Sequence, residues 1–153
     1  MEIVDELLAL SKVLERDHVP YAVCGGLAVT IHGRPRLTID IDVVVPKSAL
    51  DQAIQLAGSV GFDMQEGWVY LPKNDLGINR LFRLTKVEGG EFITLDLLEA
   101  DSDAIRLFAD RVRVSIGDRQ ITVLSRAAII EMKSRSTRTK DILDIEMLQD
   151  ETD

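Results

Sequence analysis

The stretch YAVCGGLAVTIHGRPRLTIDIDVVVP, residues 21–46, decides the fold of this chain. Its last part is a β-branched run in which residues 38–45 alternate in character. Successive side chains of a strand point to opposite faces, so Thr38, Asp40 and Asp42 share one face and the apolar residues between them share the other. The pattern predicts a strand that buries one face and presents two carboxylates on the opposite one.

Two carboxylates one pleat apart require an electrostatic explanation. Placing Asp40 and Asp42 together on an apolar strand costs Coulombic repulsion and desolvation unless a cation or strong hydrogen-bond donors offset it. An exposed edge strand with alternating acids is the ordinary alternative. A third acid, Asp96, lies within the apolar segment EFITLDLLEA of residues 91–100, where a lone carboxylate also requires a partner. The three acids together favour a divalent metal site.

A glycine pair, Gly25-Gly26, separates the first strand of this stretch from a short predicted helix. Because glycine has no side chain, the backbone here can approach a phosphate, and N–H groups at the start of the helix can donate to it. Cationic side chains suited to binding phosphate are concentrated in two segments and comprise Arg34, Arg36, Lys133, Arg135, Arg138 and Lys140. These features point to a site that handles nucleotides.

Composition bounds the remaining possibilities. The chain has 153 residues, 46% hydrophobic and 29% charged, which suits a single domain over residues 1–153, with a core over about 1–124 and C-terminal helices over about 125–149. The formal net charge of −8 argues against a protein that mainly coats nucleic acid. No apolar run reaches the roughly 18 residues of a spanning helix, and the acidic N-terminal segment differs from a signal peptide. We expect a cytoplasmic protein without membrane contact.

The order of elements predicts an α+β fold, with a small mixed β-sheet flanked by helices and two helices at the C-terminal end. Strands are predicted at residues 21–24, 38–45, 62–65, 68–71, 81–87, 91–99, 112–116 and 120–123. Helices are predicted at residues 3–17, 27–32, 49–60, 102–110, 126–135 and 139–149. A turn at residues 88–90 is expected to join two of the strands as a hairpin.

Single residues refine this outline. Ser48 and Ser125 are of the type that caps helix starts, and each directly precedes a predicted helix. The single cysteine, Cys24, is expected to be a small core residue. Trp68 and Tyr70 are suited to stacking on a base, but aromatic residues on strands more often serve packing, so we expect them in the core.

These motifs resemble the nucleotidyltransferase superfamily that includes DNA polymerase beta. The resemblance rests on a glycine pair after a strand, a short helix, Asp-x-Asp on the next strand and a single acid, Asp96, on a later strand. RPRLTIDIDVVV at residues 34–45 and EMKSRSTRTKDILDIEML at residues 131–148 are similar to the minimal nucleotidyltransferases of abortive-infection and toxin–antitoxin systems. The likeness spans about residues 1–149.

The resemblance implies a site built on two Mg²⁺ ions, with Mn²⁺ as a substitute. Asp40 and Asp42 would hold the ion on the triphosphate, and Asp96 would complete the second ion or act as general base, so all three are expected to be both metal ligands and catalytic residues. The expected nucleotide contacts are Gly25, Gly26, Arg36, Thr38, Lys133, Lys140 and Asp141. For Asp141 a structural role at a helix start is equally consistent with the sequence.

The implied function is transfer of NMP from an NTP, ATP included, to a hydroxyl of RNA or protein, with a cognate toxin or antitoxin as partner in a toxin–antitoxin or phage-defence pair. One departure is that Gly25-Gly26 replaces the Gly-Ser of many active members. A non-catalytic relative that binds nucleotide or a partner is therefore the second hypothesis. A glycosyltransferase with an Asp-x-Asp metal site is the third, although such enzymes are usually larger.

Overall fold

A seven-stranded mixed sheet organises the part of the chain that the computed structural model describes, residues 1–32, 40–134, 145–146 and 148–149. Its strands are β1 (Ala22–Cys24), β2 (Asp40–Pro46), β3 (Met64–Tyr70), β4 (Arg80–Glu88), β5 (Glu91–Ala100), β6 (Arg111–Ile116) and β7 (Arg119–Leu124). Their spatial order is β3-β4-β5-β2-β1-β7-β6. β2 runs parallel to β5 and β1 parallel to β7, whereas the other neighbours are antiparallel. The predicted α+β fold with a mixed sheet is confirmed.

Helices precede, connect and follow these strands. In the described ranges the α-helices are α1 (Ile3–Arg16), α2 (Gly25–Ile31), α3 (Leu50–Ser59), α4 (Ile105–Ala109) and α5 (Arg126–Lys133). None of the described helices is long and apolar enough to cross a membrane. Of the last predicted helix, residues 145–146 and 148–149 are helical, while residues 139–144 lie outside the described part, as does Arg135 at the predicted end of α5.

The two predicted helix caps have different outcomes. The Ser125 hydroxyl accepts a hydrogen bond from the Ala128 backbone N–H at 3.1 Å, so this cap is confirmed. The prediction for Ser48 is wrong, because the chain first forms a 3₁₀ turn over Lys47–Ala49 and Ser48 lies inside it. α3 then begins after Ala49 without a side-chain cap.

Strand β3 replaces the two short strands predicted at residues 62–65 and 68–71. A β-bulge between Gln65 and Gly67 shifts its register against β4. A bulge interrupts the alternation of side chains, which is why the sequence suggested a break. The two predicted strands are therefore one continuous edge strand.

The aromatic residues of β3 are not core residues, so that expectation is wrong. Trp68 is 36% exposed and Tyr70 is 71% exposed, because β3 lies at the edge of the sheet. The Arg80 guanidinium stacks 3.6 Å from the Trp68 ring centroid, and Phe82 contacts the same ring edge-on. Cys24, in contrast, is only 2% exposed, as expected for a core residue.

One face of the central strands carries the core. Ile41, Val43, Leu95 and Leu97, which alternate along β2 and β5, are all fully buried there. Helices α1 and α3 cover this face, and they contact each other and β2. Lys86 of β4 links both helices to the sheet. Its Nζ donates to Glu6 of α1 at 2.7 Å and to the carbonyl of Val60, directly after α3, at 3.2 Å. The opposite face of β2 and β5 carries the acids.

Candidate active site

The three predicted acids lie on one face of the sheet. Asp42 of β2 is paired directly with Asp96 of β5 in the parallel register, and Asp40 is paired with Thr94. Paired residues of neighbouring strands point to the same face, and residues two apart on one strand do so as well. Asp40 is exposed, Asp42 is half-buried and Asp96 is buried, so the face opens towards Asp40.

The register extends this pair into a row across four strands. Cys24 of β1 is paired with Asp42, and Arg83 of β4 is paired with Asp96. The row therefore reads Cys24, Asp42, Asp96, Arg83 across the sheet. Sequence reasoning predicted the two acids of this row as site residues but missed the arginine beside them.

Arg83 binds Asp96 through two hydrogen bonds. Its Nε donates to Oδ1 at 2.8 Å and its Nη2 donates to Oδ2 at 3.0 Å, which is the bidentate geometry of strong arginine–carboxylate pairs. These hydrogen bonds are the main cause that raises the pKa of Arg83, and the negative charge of Asp40 acts in the same direction. The Asp96 side chain is 8% exposed and that of Arg83 is 37% exposed. The carboxylate is thus buried beneath a partly exposed cation.

Gly25 packs against the Asp42 carboxylate at the start of α2. A Cβ atom at this position would lie 2.2 Å from Asp42 Oδ2, and the backbone has a φ of +69°. Both the space and the backbone conformation therefore require glycine here. The next residue, Gly26, accepts a hydrogen bond from the Thr30 hydroxyl through its carbonyl at 3.2 Å. The predicted phosphate contact of the glycine pair stays a prediction.

Lys133 is a buried cation close to the same row. It ends α5, which packs against α2, and it is only 8% exposed. Burial raises the pKa of the Cys24 thiol well above its ordinary value, and the charges of Asp42 and Asp96 raise it further, whereas the charge of Lys133 lowers it. One positive and two negative side chains thus act together on the Cys24 thiol.

The structure describes six of the predicted site residues. Asp40, Asp42 and Asp96 share one face, Gly25 packs on Asp42 and is followed by Gly26, and the charge of Lys133 acts on Cys24 of the same row. The other four, Arg36, Thr38, Lys140 and Asp141, lie outside the described residues. Their expected contacts with the nucleotide stay predictions.

The donor set fits a hard divalent cation in its chemistry, because carboxylate oxygens are the ligands that Mg²⁺ prefers. The arrangement differs from a finished metal site. Among the described residues, no group of three or more His, Cys, Asp or Glu side chains is arranged to hold an ion. Both oxygens of Asp96 accept hydrogen bonds from Arg83, on the face that Asp96 shares with Asp40 and Asp42.

No protein-family model and no curated protein matches this chain. Solved structures do match it. A lincomycin-bound lincosamide antibiotic adenylyltransferase, LnuA, superposes with a TM-score of 0.66 at 20% identity and covers 95% of each chain. ANT(2″)-Ia in complex with adenylyl-2″-tobramycin superposes with a TM-score of 0.64 at 18% identity, over 98% of this chain and 89% of that one. A Helicobacter pylori protein gives 0.58 at 20% identity, over 95% of this chain and 63% of that one. The chain therefore has a nucleotidyltransferase-like fold.

Proposed function

We propose that this protein is a metal-dependent nucleotidyltransferase that transfers NMP from an NTP to a hydroxyl group of an acceptor. The observation that carries the proposal is the register of β2 and β5, which pairs Asp42 with Asp96 and leaves Asp40 on the same open face. The alternative of an exposed edge strand with alternating acids does not account for this register, because β2 lies inside the sheet between β5 and β1. The nucleotidyltransferase-like fold supports the same reaction class.

In this reaction the acceptor oxygen attacks the α-phosphorus, the bond from the α-phosphorus to the bridging oxygen breaks, and pyrophosphate leaves. Mg²⁺, when bound, would neutralise charge on the triphosphate and favour loss of the hydroxyl proton. Asp40 and Asp42 are the proposed ligands of the ion on the triphosphate. Asp96 would either help to hold a second ion or accept the proton itself. Mn²⁺ is expected to substitute for Mg²⁺.

In this proposal, cationic side chains and backbone N–H groups near the acids bind the phosphates. Lys133 is the described candidate, since it is buried and acts on the same row as the acids. Backbone N–H groups at Gly25 and Gly26 are the second contribution. Arg36 and Lys140 complete the set on the strength of the sequence resemblance alone, as do the polar contacts of Thr38 and Asp141.

The acceptor is the less constrained half of the proposal. From the sequence resemblance we propose a hydroxyl of RNA or protein within a toxin–antitoxin or phage-defence pair. A small hydroxyl-bearing molecule is the second candidate, favoured by the match to the lincosamide adenylyltransferase, which covers 95% of both chains. Labelled NTP offered with each acceptor class separates the two candidates.

Thermal unfolding with each NTP, with and without Mg²⁺, tests the nucleotide half without knowledge of the acceptor. Ligand at about 100 times its dissociation constant adds roughly 2.7 kcal/mol, which corresponds to a rise of about 5–10 °C in the unfolding midpoint. We expect an Mg²⁺-dependent rise that Asp40→Asn/Asp42→Asn abolishes. The matched control is Asp51→Asn/Asp63→Asn, which removes the same charge from two exposed acids and should retain the rise.

Other outcomes would favour the other hypotheses. Mg²⁺-dependent binding of NTP without label transfer to any acceptor favours the non-catalytic relative. A rise with nucleoside diphosphate sugars in place of NTPs favours the glycosyltransferase. No rise with any nucleotide at millimolar concentration contradicts the proposal.

A further inference from the structure

Two arginine–carboxylate pairs join β4 to β5 with the same geometry. Arg83 binds Asp96 through Nε and Nη2 at 2.8 and 3.0 Å, and Arg80 binds Glu99 through the same two atoms at 3.0 and 3.1 Å. Because residues three apart on a strand point to opposite faces, only the Arg83 pair lies on the face of the acids. The Arg80 pair lies on the other face, beside Trp68.

We propose that Arg83 is an internal counter-ion that a divalent cation must displace from Asp96, so that the protein controls its own metal binding at this carboxylate. The inference rests on the proposed function. Arg83 donates to both oxygens of Asp96, the atoms that a metal site including all three acids would use. Among the described side chains, no group of three such ligands is arranged to hold an ion, as this competition would require.

Burial and charge explain why Asp96 is paired with Arg83. Asp96 is buried and lies directly beside Asp42, so an ionised Asp96 needs a positive partner to offset desolvation and repulsion. Arginine stays protonated at all relevant pH values and therefore supplies that charge permanently. Arg83 therefore keeps the Asp96 carboxylate paired at its position beside Asp42.

Exposure explains why the exchange can occur. The Arg83 side chain is 37% exposed, so its guanidinium can move into solvent and keep its charge hydrated, whereas the Asp96 side chain, at 8%, cannot follow it. A cation that takes the place of Arg83 satisfies the same buried carboxylate. The cost of releasing Arg83 lowers the affinity for the metal, since the hydrogen bonds of a charged pair have to be broken first.

The test is a titration of Mn²⁺ followed by electron paramagnetic resonance, without nucleotide, on the full chain. Arg83→Gln removes the competitor and should tighten Mn²⁺ binding by about tenfold or more, the factor that corresponds to a hydrogen-bonded charged pair. Arg80→Gln is the matched control, because it breaks a pair of the same geometry on the other face and should leave Mn²⁺ binding unchanged. Adding Asp96→Asn to Arg83→Gln should remove the gain.

A purely structural role for Arg83 gives a different result. In that case Arg83→Gln and Arg80→Gln both lower the unfolding midpoint, and neither tightens Mn²⁺ binding. If Arg83→Gln fails to fold without metal, Arg83→Lys, which keeps the charge but loses the two-point geometry, should still bind Mn²⁺ more tightly than the wild type. Equal or weaker binding by both Arg83 variants would overturn the inference.

Mn²⁺ titrations of the wild type and of Asp40→Asn/Asp42→Asn distinguish failure of the counter-ion inference from failure of the proposed function. Mn²⁺ binding that depends on Asp40 and Asp42 but is insensitive to Arg83 leaves the nucleotidyltransferase proposal intact and rejects the counter-ion. The absence of Mn²⁺ binding in every variant, with or without NTP, rejects both.

Discussion

The two faces of strands β2 and β5 use the same backbone for opposite purposes. On one face Ile41 and Leu97 are fully buried beneath α1 and α3. On the other face Asp42 and Asp96 lie side by side, with the surface open towards Asp40. One step along a strand therefore separates a residue that stabilises the fold from a residue that we propose acts in the metal site. Substitutions one position apart should thus perturb stability and function separately.

The apolar face should give the largest effect on stability. Leu97→Ala removes a fully buried side chain and should lower the free energy of unfolding by about 2–5 kcal/mol, because it loses hydrophobic transfer energy and leaves a cavity. Thr94→Ala, on the acid face and half-buried, is the control and should cost much less. Urea unfolding measures both. An equal loss of unfolding free energy in the two variants would contradict the difference between the two faces.

Substitution of Gly25, where α2 begins beside the acid face, should give the next largest effect on stability. Gly25→Ala has to place a Cβ within 2.2 Å of Asp42 Oδ2 at a φ of +69°. Gly89→Ala has a similar φ of +59° but has no atom within 4 Å of its Cβ, so it reports the backbone cost alone, about 1–2 kcal/mol.

We expect Gly25→Ala to cost about 1–3 kcal/mol more than Gly89→Ala in urea unfolding, since the carboxylate must move. Combining Gly25→Ala with Asp42→Ala should recover part of that difference. The absence of any difference between the two single variants would contradict the close packing of Gly25 on Asp42.

The acid face should give a small effect on stability but a large effect on binding. Asp42→Asn keeps the size and shape of the half-buried side chain and leaves no cavity. We therefore expect it to lower the free energy of unfolding by less than Leu97→Ala does, without ligand in urea unfolding. The Mg²⁺- and NTP-dependent rise in the unfolding midpoint should disappear in the same variant. A variant that loses several kcal/mol and keeps the rise would reverse the assignment of the two faces.

The ion pair of Glu15 with Arg113 should give the smallest effect on stability, and this effect should depend on pH. Glu15 of α1 accepts a hydrogen bond from Tyr21 at 2.6 Å and pairs with Arg113 at 3.1 Å. Burial raises the pKa of Glu15, but these two partners outweigh it, and the pKa lies below its ordinary value of 4.5.

A carboxylate with a lowered pKa stabilises the fold above its unfolded-state pKa, and this contribution is lost as the pH falls through the lower folded-state value. Glu15→Gln should therefore be less stable than the wild type at pH 7, and the difference should shrink below about pH 4.5. Thermal unfolding across this range measures it. A difference that grows on acidification would contradict the assignment.

Local patterns in the sequence predicted most of the elements and three of the central residues. Alternation in β2 was sufficient to place Asp40 and Asp42 on one face, and the lone acid in β5 identified Asp96. The missed Arg83 was one residue out of reach: the predicted turn at residues 88–90 would pair Arg83 with Leu95. The structure turns over residues 89–90 and pairs Glu88 with Glu91, which brings Arg83 opposite Asp96.

Long-range pairing was beyond the reach of local patterns. β2 and β5 are far apart in the chain and parallel, and no turn sets their register, so the pairing of Asp42 with Asp96 required the structure. The same holds for the packing of Gly25 on Asp42. The exposure of Tyr70 depends on the position of β3 at the sheet edge, which strand propensity alone does not determine.

A crystal structure with Mn²⁺ and a non-hydrolysable NTP analogue tests the central claim most directly, because anomalous scattering locates the ions independently of the protein. We predict a Mn²⁺ ion coordinated by carboxylate oxygens of Asp40 and Asp42 and by the triphosphate, with Asp96 released from Arg83 to face the site. Nucleotide bound elsewhere, or ions that leave the face of Asp40, Asp42 and Asp96 untouched, would contradict the account.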